Sequence, residues 1–245
     1  MEEKNPFAGV KTYDNYTHLW QLTALVILLQ VTASVAVSFF KGHFGLTLSS
    51  FESIIPALLV TGYISWEMLS GVGVPWRSAL ADWNANAAGD IKKAFKYFAG
   101  YALVLGGICA ALYAAYYFFG PRADAVMRPL GDSNGREDAQ LQGIAAVSRL
   151  RLLTVLFCGC VLAPVVEEIF FRRIVFTTIR LKNGFWTSAF WSGLLFAAFH
   201  GLAAPVILPI GIYFCWVYER ERRLPVNILL HSLVNLSMLT LKVLL

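Results

Sequence analysis

Long apolar segments are the feature that most restricts how this chain can fold. A helix needs roughly 20 apolar residues to cross a bilayer, and several segments approach that length. Hydrophobic residues make up 58% of the 245 residues and charged residues only 14%, and the mean hydropathy is +0.61. A soluble domain of this size needs much less apolar surface. We therefore predict an all-α, polytopic membrane protein.

About seven transmembrane helices are predicted, and the segment starting at Pro205 is short enough that a tilted or partly re-entrant course stays open. Residues 75–93 (PWRSALADWNANAAGDIKK) predict a short helix along the interface, with a polar loop as the alternative. Residues 120–148 are rich in Gly, Pro, Asp and Arg and predict a solvent-exposed loop. The predicted spans are Leu19–Phe40, Phe51–Val74, Ala94–Phe119, Arg149–Leu181, Phe185–Ala203, Pro205–Tyr218 and Pro225–Leu244.

The distribution of basic residues predicts the orientation and the surroundings of the chain. We expect one membrane-embedded domain over residues 1–245, with N-terminal helices and a loop in 1–148 and the motif-bearing helices in 149–245. If all segments cross, eleven of the 20 Lys and Arg residues lie on the N-terminal side and seven on the other, which predicts a cytoplasmic N-terminus. The net charge of +5 is better explained by anionic lipid than by nucleic acid.

Ionisable side chains inside an apolar segment cost about 3 kcal/mol each and therefore indicate function. In VLAPVVEEIFFRRIVF, Glu168 and Arg172 are four residues apart with the acid first, which favours an ion pair on one helix face. Glu167 points about 100° away and has no base four residues later. Glu167 is therefore the predicted carboxylate for chemistry, and Pro164 predicts a kink one turn before it.

Two later segments carry further polar residues. His200 ends an apolar run and shares a helix face with Phe196, whereas His231 and Asn235 lie four residues apart in the last span. A carboxylate and an imidazole can hold and deprotonate a water, and a second imidazole and an amide can donate hydrogen bonds to an oxyanion. Together these groups predict an intramembrane peptidase.

Each of these residues also has a purely structural interpretation. His200 could form a hydrogen bond between helices, the Glu168–Arg172 pair could be a buried structural ion pair, and Asn235 could join two helices. Glu52 has no evident partner in the sequence. Four costly groups at comparable depth on three helices nevertheless favour a shared site over separate structural roles.

Three short motifs resemble those of the CAAX protease and bacteriocin-processing family of intramembrane endopeptidases, also called the Abi family. EEIFFR (167–172) resembles EExxxR, FAAFH (196–200) resembles FxxxH, and HSLVN (231–235) resembles HxxxN. Each motif is short, but all three occur in order on three apolar segments. The resemblance covers about Arg149 to Leu245.

The resemblance implies a helical bundle that encloses an intramembrane catalytic cavity open toward the cytoplasm. It also implies the division of labour among the motif residues. Glu167 and His200 would activate the water, His231 and Asn235 would form the oxyanion hole, and Glu168, Arg172 and Phe196 would support them.

Cofactor and substrate follow less directly from the motifs. Family members are described both as metalloproteases and as metal-free, glutamate-dependent enzymes. Without an HExxH helix we favour no cofactor, while zinc held by Glu167, His200 and His231 stays open. The expected substrate is a membrane-associated protein or peptide in a prokaryotic inner or plasma membrane, and whether it is prenylated or lipid-anchored stays open. A non-catalytic scaffold or immunity protein and a proton-coupled carrier are the alternatives.

Overall fold

The computed structural model describes residues 5–12, 15–45 and 48–244, which contain helices and turns but no strand. This confirms the predicted all-α class. In chain order the helices are α1 (Tyr16–Phe44), α2 (Ser50–Ser53), α3 (Ile55–Gly71), α4 (Trp76–Phe119), α5 (Pro121–Val147), α6 (Arg149–Arg180), α7 (Phe185–Ala198), α8 (Ala204–Glu221) and α9 (Leu224–Leu244).

Six helical segments of the described chain are long and apolar enough to cross a membrane, so the chain is an integral membrane protein. Helix α7 has 14 residues, which corresponds to roughly 21 Å of rise against a hydrocarbon core of about 30 Å. It is shorter than the predicted span because the chain turns at His200 and at Gly201, which has a left-handed φ of 58°. The six segments are Tyr16–Phe44, Phe51–Gly71, Trp76–Phe119, Arg149–Arg180, Gly201–Glu221 and Leu224–Leu244.

The predicted loop at residues 120–148 is wrong, because the chain forms helix α5 there. Its Gly and Pro residues disfavour a helix only weakly, and contacts with neighbouring helices override that local preference. Leu141 and Ile144 are buried in a cluster with residues of α6 and α9, and Asp138 pairs with Lys242 of α9 at 2.5 Å. These contacts hold the C-terminal half of α5 against the bundle. Lys4, which entered the predicted charge balance, lies outside the described residues.

The separate interfacial helix predicted before the third span is also wrong. Residues 76–119 form one continuous helix, α4, because no proline interrupts the Ala-rich polar part after Pro75. Polar residues of this part form ion pairs with residues at the turn between α8 and α9. Asp90 accepts two hydrogen bonds from Arg223, and Lys93 pairs with Glu221.

Helix α6 occupies the centre of the bundle. One buried cluster joins it to α1, α3 and α7, and another joins it to α7, α8 and α9. Residues Cys158–Leu162 and Glu168–Phe176 of α6 are π-helical. In the first of these turns the Ala163 amide donates to the Cys158 carbonyl, and Pro164 has no N–H to donate. The disturbance expected at Pro164 thus takes the form of a π-helical turn.

Helices α7 and α8 approach closely at two glycines. A Cβ atom at Gly211 would lie 3.1 Å from the Gly193 Cα and 3.2 Å from the Phe196 ring. Small residues allow helix backbones this close in membranes. The contact brings Phe196 toward Phe214 on α8, at 6.5 Å between ring centroids.

Candidate active site

The two adjacent glutamates of α6 differ in their access to solvent. The Glu168 side chain is fully buried, whereas 20% of the Glu167 side chain is exposed. Glu168 Oε2 lies 3.1 Å from Arg172 Nε, which is the predicted pair. Because Arg172 balances the charge of Glu168, the charge of Glu167 remains available, and only Glu167 is open to water.

His231 lies between these two carboxylates. Its Nδ1 is 3.0 Å from Glu168 Oε1, and its Nε2 is 3.8 Å from Glu167 Oε2. An ionised carboxylate only accepts hydrogen bonds, so Nδ1 carries a hydrogen and donates a hydrogen bond to Glu168. The distance of 3.8 Å is longer than a direct hydrogen bond, and one oxygen atom could contact Glu167 and Nε2 together.

Arg172 is held in an aromatic enclosure. Its guanidinium carbon lies 4.7 Å from the Phe196 ring centroid and 5.6 Å from that of Phe214. The side chain is fully buried, and its nitrogens make no hydrogen bond within the described part of the chain. Glu168 and the two ring faces therefore supply the compensation for this charge.

His200 lies in the turn after α7, beside Phe196 as predicted. Its Nδ1 is 2.8 Å from the Phe196 carbonyl, and its ring centroid is 4.6 Å from that of Phe196. The Phe196 ring also contacts His231, at 5.8 Å. No hydrogen bond or ion pair joins Glu167 to His200 in the described residues, so Phe196 is the side chain that links His200 to the glutamate site. Donation from Nδ1 to the carbonyl leaves Nε2 as the free nitrogen of a neutral ring.

Asn235 uses one donor on the backbone of α6. Its Nδ2 donates to the Gly159 carbonyl at 2.7 Å. That carbonyl lacks both usual helical donors, because the Ala163 amide bonds to Cys158 and Pro164 has no N–H. Asn235 therefore joins α9 to the π-helical turn of α6, and its second N–H is the one left for another acceptor.

Asn227 is a site residue that the sequence analysis missed. Its Nδ2 lies 3.3 Å from Glu168 Oε2 and 2.8 Å from the Phe214 carbonyl, and the residue is fully buried. The signal was present, since Asn227 precedes His231 by four residues on the same helix face. Phe214 carried no comparable signal, because one aromatic residue in an apolar helix is ordinary.

Glu52, which had no evident partner in the sequence, is bonded to Arg151. Arg151 donates to both of its carboxylate oxygens, at 2.8 and 2.6 Å. Ser49 and Glu52 form a capping box at the start of α2, and the S-x-x-E spacing could have indicated this. The pair ties α2 to the first turn of α6.

Among the described residues, no three His, Cys, Asp or Glu side chains are arranged to hold a metal ion. The zinc set considered from the sequence, Glu167, His200 and His231, is not among such groups in the described residues. Glu168 and His231 Nδ1 are already bonded to each other.

Comparison with known proteins finds similarity in the region that carries the three motifs. Residues 149–237 match the family model described as "Type II CAAX prenyl endopeptidase Rce1-like". A Bacillus subtilis protein named "Putative membrane peptidase YdiL" is 30% identical over 103 residues, which cover 41% of this chain and 42% of the relative. The chain thus spans less than half the length of this relative in the match. No solved structure matches the chain. Residues 149–237 are therefore similar to Rce1-like CAAX prenyl endopeptidases, in agreement with the resemblance of the three motifs.

Proposed function

We propose that the chain is an intramembrane endopeptidase that cleaves a membrane-associated protein or peptide near its terminus. The observation that carries the proposal is the accessible Glu167 facing His231, whose other nitrogen is anchored on the buried Glu168. Ionisable side chains in a membrane interior lower the stability of the protein. A role in hydrolysis would explain why the chain contains them there.

The proposed reaction begins with a water between Glu167 and the scissile carbonyl. Glu167 accepts a proton from the water as the oxygen attacks the carbonyl carbon. A protonated His231 donates from Nδ1 to Glu168 and from Nε2 to the developing oxyanion. Glu167 then returns the proton to the leaving nitrogen as the C–N bond breaks. Glu168 and Asn227 act as positioning residues, because they hold the ring of His231 through Glu168.

His200 and Asn235 complete the proposed site. The free Nε2 of His200 can accept a hydrogen bond from the attacking water, and the second N–H of Asn235 can donate to the oxyanion. Arg172 and Phe196 support the site through the stacked guanidinium and ring. The mechanism is proposed as metal-free. Stoichiometric zinc in active protein together with loss of activity on chelation would overturn that part.

The substrate and the location are part of the same proposal. The family match and the six apolar spans support a substrate that reaches the site from the bilayer, prenylated or lipid-anchored. The relative from Bacillus subtilis supports a prokaryotic plasma or inner membrane. The excess of Lys and Arg on the N-terminal side, counted with the short α7 as a seventh crossing segment, supports a cytoplasmic N-terminus.

The test compares Glu167→Gln with wild type and with Glu67→Gln. Glu67 is an exposed glutamate of α3, so its variant controls for replacing a carboxylate in another span. Quantitative proteomics of peptide termini in membranes from cells that express each form reports processing. Loss of a general base is expected to slow cleavage by about a hundredfold or more. Glu67→Gln should leave the termini unchanged.

Two outcomes would decide against the protease. Unchanged termini in Glu167→Gln, with normal expression and thermal unfolding, would favour the scaffold or immunity protein. Proton or substrate flux through reconstituted vesicles that depends on Glu167, without any cleavage, would favour a carrier.

A further inference from the structure

A second polar site lies at one end of the bundle, in a half-open cavity. The end of α3, the start of α4, the end of α8 and the start of α9 enclose it, and Ile169 and Arg173 of α6 form its inner side. Because these are ends of apolar spans, the cavity lies at the level where a membrane exposes its headgroups. It is distinct from the Glu167 site and does not rest on the proposed hydrolysis.

Arg173 is the unusual group in this cavity. Its Nη2 donates to the Lys11 carbonyl at 2.6 Å. Its Nη1 is buried and has no hydrogen-bond partner, and no carboxylate of the described residues forms an ion pair with it. A buried cation that lacks an anion is costly, and a guanidinium fork matches the oxygens of phosphate or carboxylate.

The acidic residues nearby are already paired with another base. Asp82 lines the cavity but pairs with Arg223 at 2.9 Å. Asp90 accepts two hydrogen bonds from the same guanidinium, at 2.6 and 2.7 Å. Arg222 also lines the cavity and is exposed. The cavity therefore offers two cations to a negatively charged ligand, Arg173, which has no carboxylate partner among the described residues, and the exposed Arg222.

The walls around Arg173 suit an anion that carries apolar chains. Trp76 stacks on Trp66 at 4.5 Å between ring centroids, and its indole N–H donates to the Ser70 hydroxyl. Trp66 is 49% and Leu80 is 56% exposed, so apolar surface continues outward from the cavity along α3 and α4. Trp residues of this kind are enriched at the membrane interface.

We propose that this cavity binds one anionic phospholipid, with its headgroup phosphate on the Arg173 guanidinium and its acyl chains against the exposed face around Trp66 and Leu80. A phosphate on Arg173 would balance the charge of its guanidinium. The bound lipid would join the ends of α3, α4, α6 and α9.

The test measures lipid binding to purified full-length protein in detergent by native mass spectrometry. Wild type is titrated with phosphatidylglycerol and with phosphatidylcholine, and we expect one tight site that prefers phosphatidylglycerol. Arg173→Gln should raise the dissociation constant of that site about tenfold or more, the value of one charge-assisted contact. Arg173→Lys should lose less affinity for the lipid, because lysine keeps the positive charge but lacks the planar guanidinium group that binds two oxygens at once.

Arg77→Gln is the matched control, since Arg77 is exposed on the first turn of α4 and does not line the cavity. Equal weakening by Arg77→Gln and Arg173→Gln would overturn the proposal in favour of general surface attraction. Equal affinity of wild type for both lipids, or unchanged binding in both folded Arg173 variants, would also overturn it. Saturation by inorganic phosphate at the affinity of the lipid would assign the site to free phosphate. Displacement of the lipid by an apolar peptide with a free carboxylate would assign it to a peptide.

Discussion

The buried ion pair of α6 allows the structural reasoning to be tested without a known substrate. Glu168 and Arg172 are fully buried and 3.1 Å apart. We consider three variants, Glu168→Gln, Arg172→Met and the double variant. Each single change leaves one charge without its partner in the bundle interior, whereas the double change removes both charges and largely preserves side-chain volume.

The surroundings of the two residues predict unequal losses. Removing one partner of a buried pair costs about 3–5 kcal/mol. After Arg172→Met, Glu168 keeps the donors His231 and Asn227, so we expect about 3 kcal/mol. After Glu168→Gln, Arg172 keeps only two aromatic faces, so we expect about 5 kcal/mol. The double variant should lose less than either single variant.

The free energy of unfolding is measured in mixed micelles of dodecylmaltoside and sodium dodecyl sulfate, with helicity followed by circular dichroism. The control is the Glu52–Arg151 pair, in which the Arg151 side chain is 36% exposed. Glu52→Gln should cost about 1 kcal/mol, as expected for a pair near the surface.

Two results would refute this reasoning. If the losses of the single variants added up in the double variant, the two charges would not stabilise each other. If Arg172→Met cost more than Glu168→Gln, then His231 and Asn227 would not compensate the Glu168 charge.

Two further predictions concern contacts that the sequence analysis did not identify. Asn227→Leu removes a donor to Glu168 but leaves the ion pair of Glu168 intact, so we expect substrate cleavage to slow about tenfold or more through misplacement; an unchanged rate in folded protein would contradict the positioning role. Asp90 and Asp82 both pair with Arg223, and the Asp90 side chain is 2% exposed whereas the Asp82 side chain is 54% exposed. Asp90→Asn should therefore cost about 3 kcal/mol of unfolding free energy and Asp82→Asn less than about 1, and equal losses would count against the burial argument. The hydrogen bonds that Arg223 donates to Asp90 and Asp82 raise the pKa of Arg223, so its cation persists at any pH used for the measurement.

Local patterns in the sequence predicted much of the candidate site. The four-residue spacing predicted the Glu168–Arg172 pair, which the structure contains. It could also have indicated Asn227 one turn before His231. The capping box at Ser49 was readable but was not used, so the Glu52–Arg151 pair was missed. Which residues act in catalysis stays a prediction, since their positions alone do not measure a rate.

Errors arose where local composition and tertiary packing disagree. The Gly and Pro residues of 120–148 indicated a loop, but burial of Leu141 and Ile144 against neighbouring helices supports α5. The polarity of residues 76–93 indicated a separate interfacial element. In the structure that polarity reflects pairing with Arg223 and Glu221, and α4 is continuous.

The sequence by itself determined that the chain is a helical membrane protein, and it determined which polar residues share a helix face. Both properties are local, because hydropathy accumulates within a segment and helical geometry relates residues four apart. Only the tertiary structure decided that His231, 63 positions from Glu168, bonds to that residue and faces Glu167. It also decided that Asn235, 76 positions from Gly159, donates to that carbonyl. Such contacts depend on how whole helices pack and on the register of the π-helical turns in α6, which no short pattern encodes.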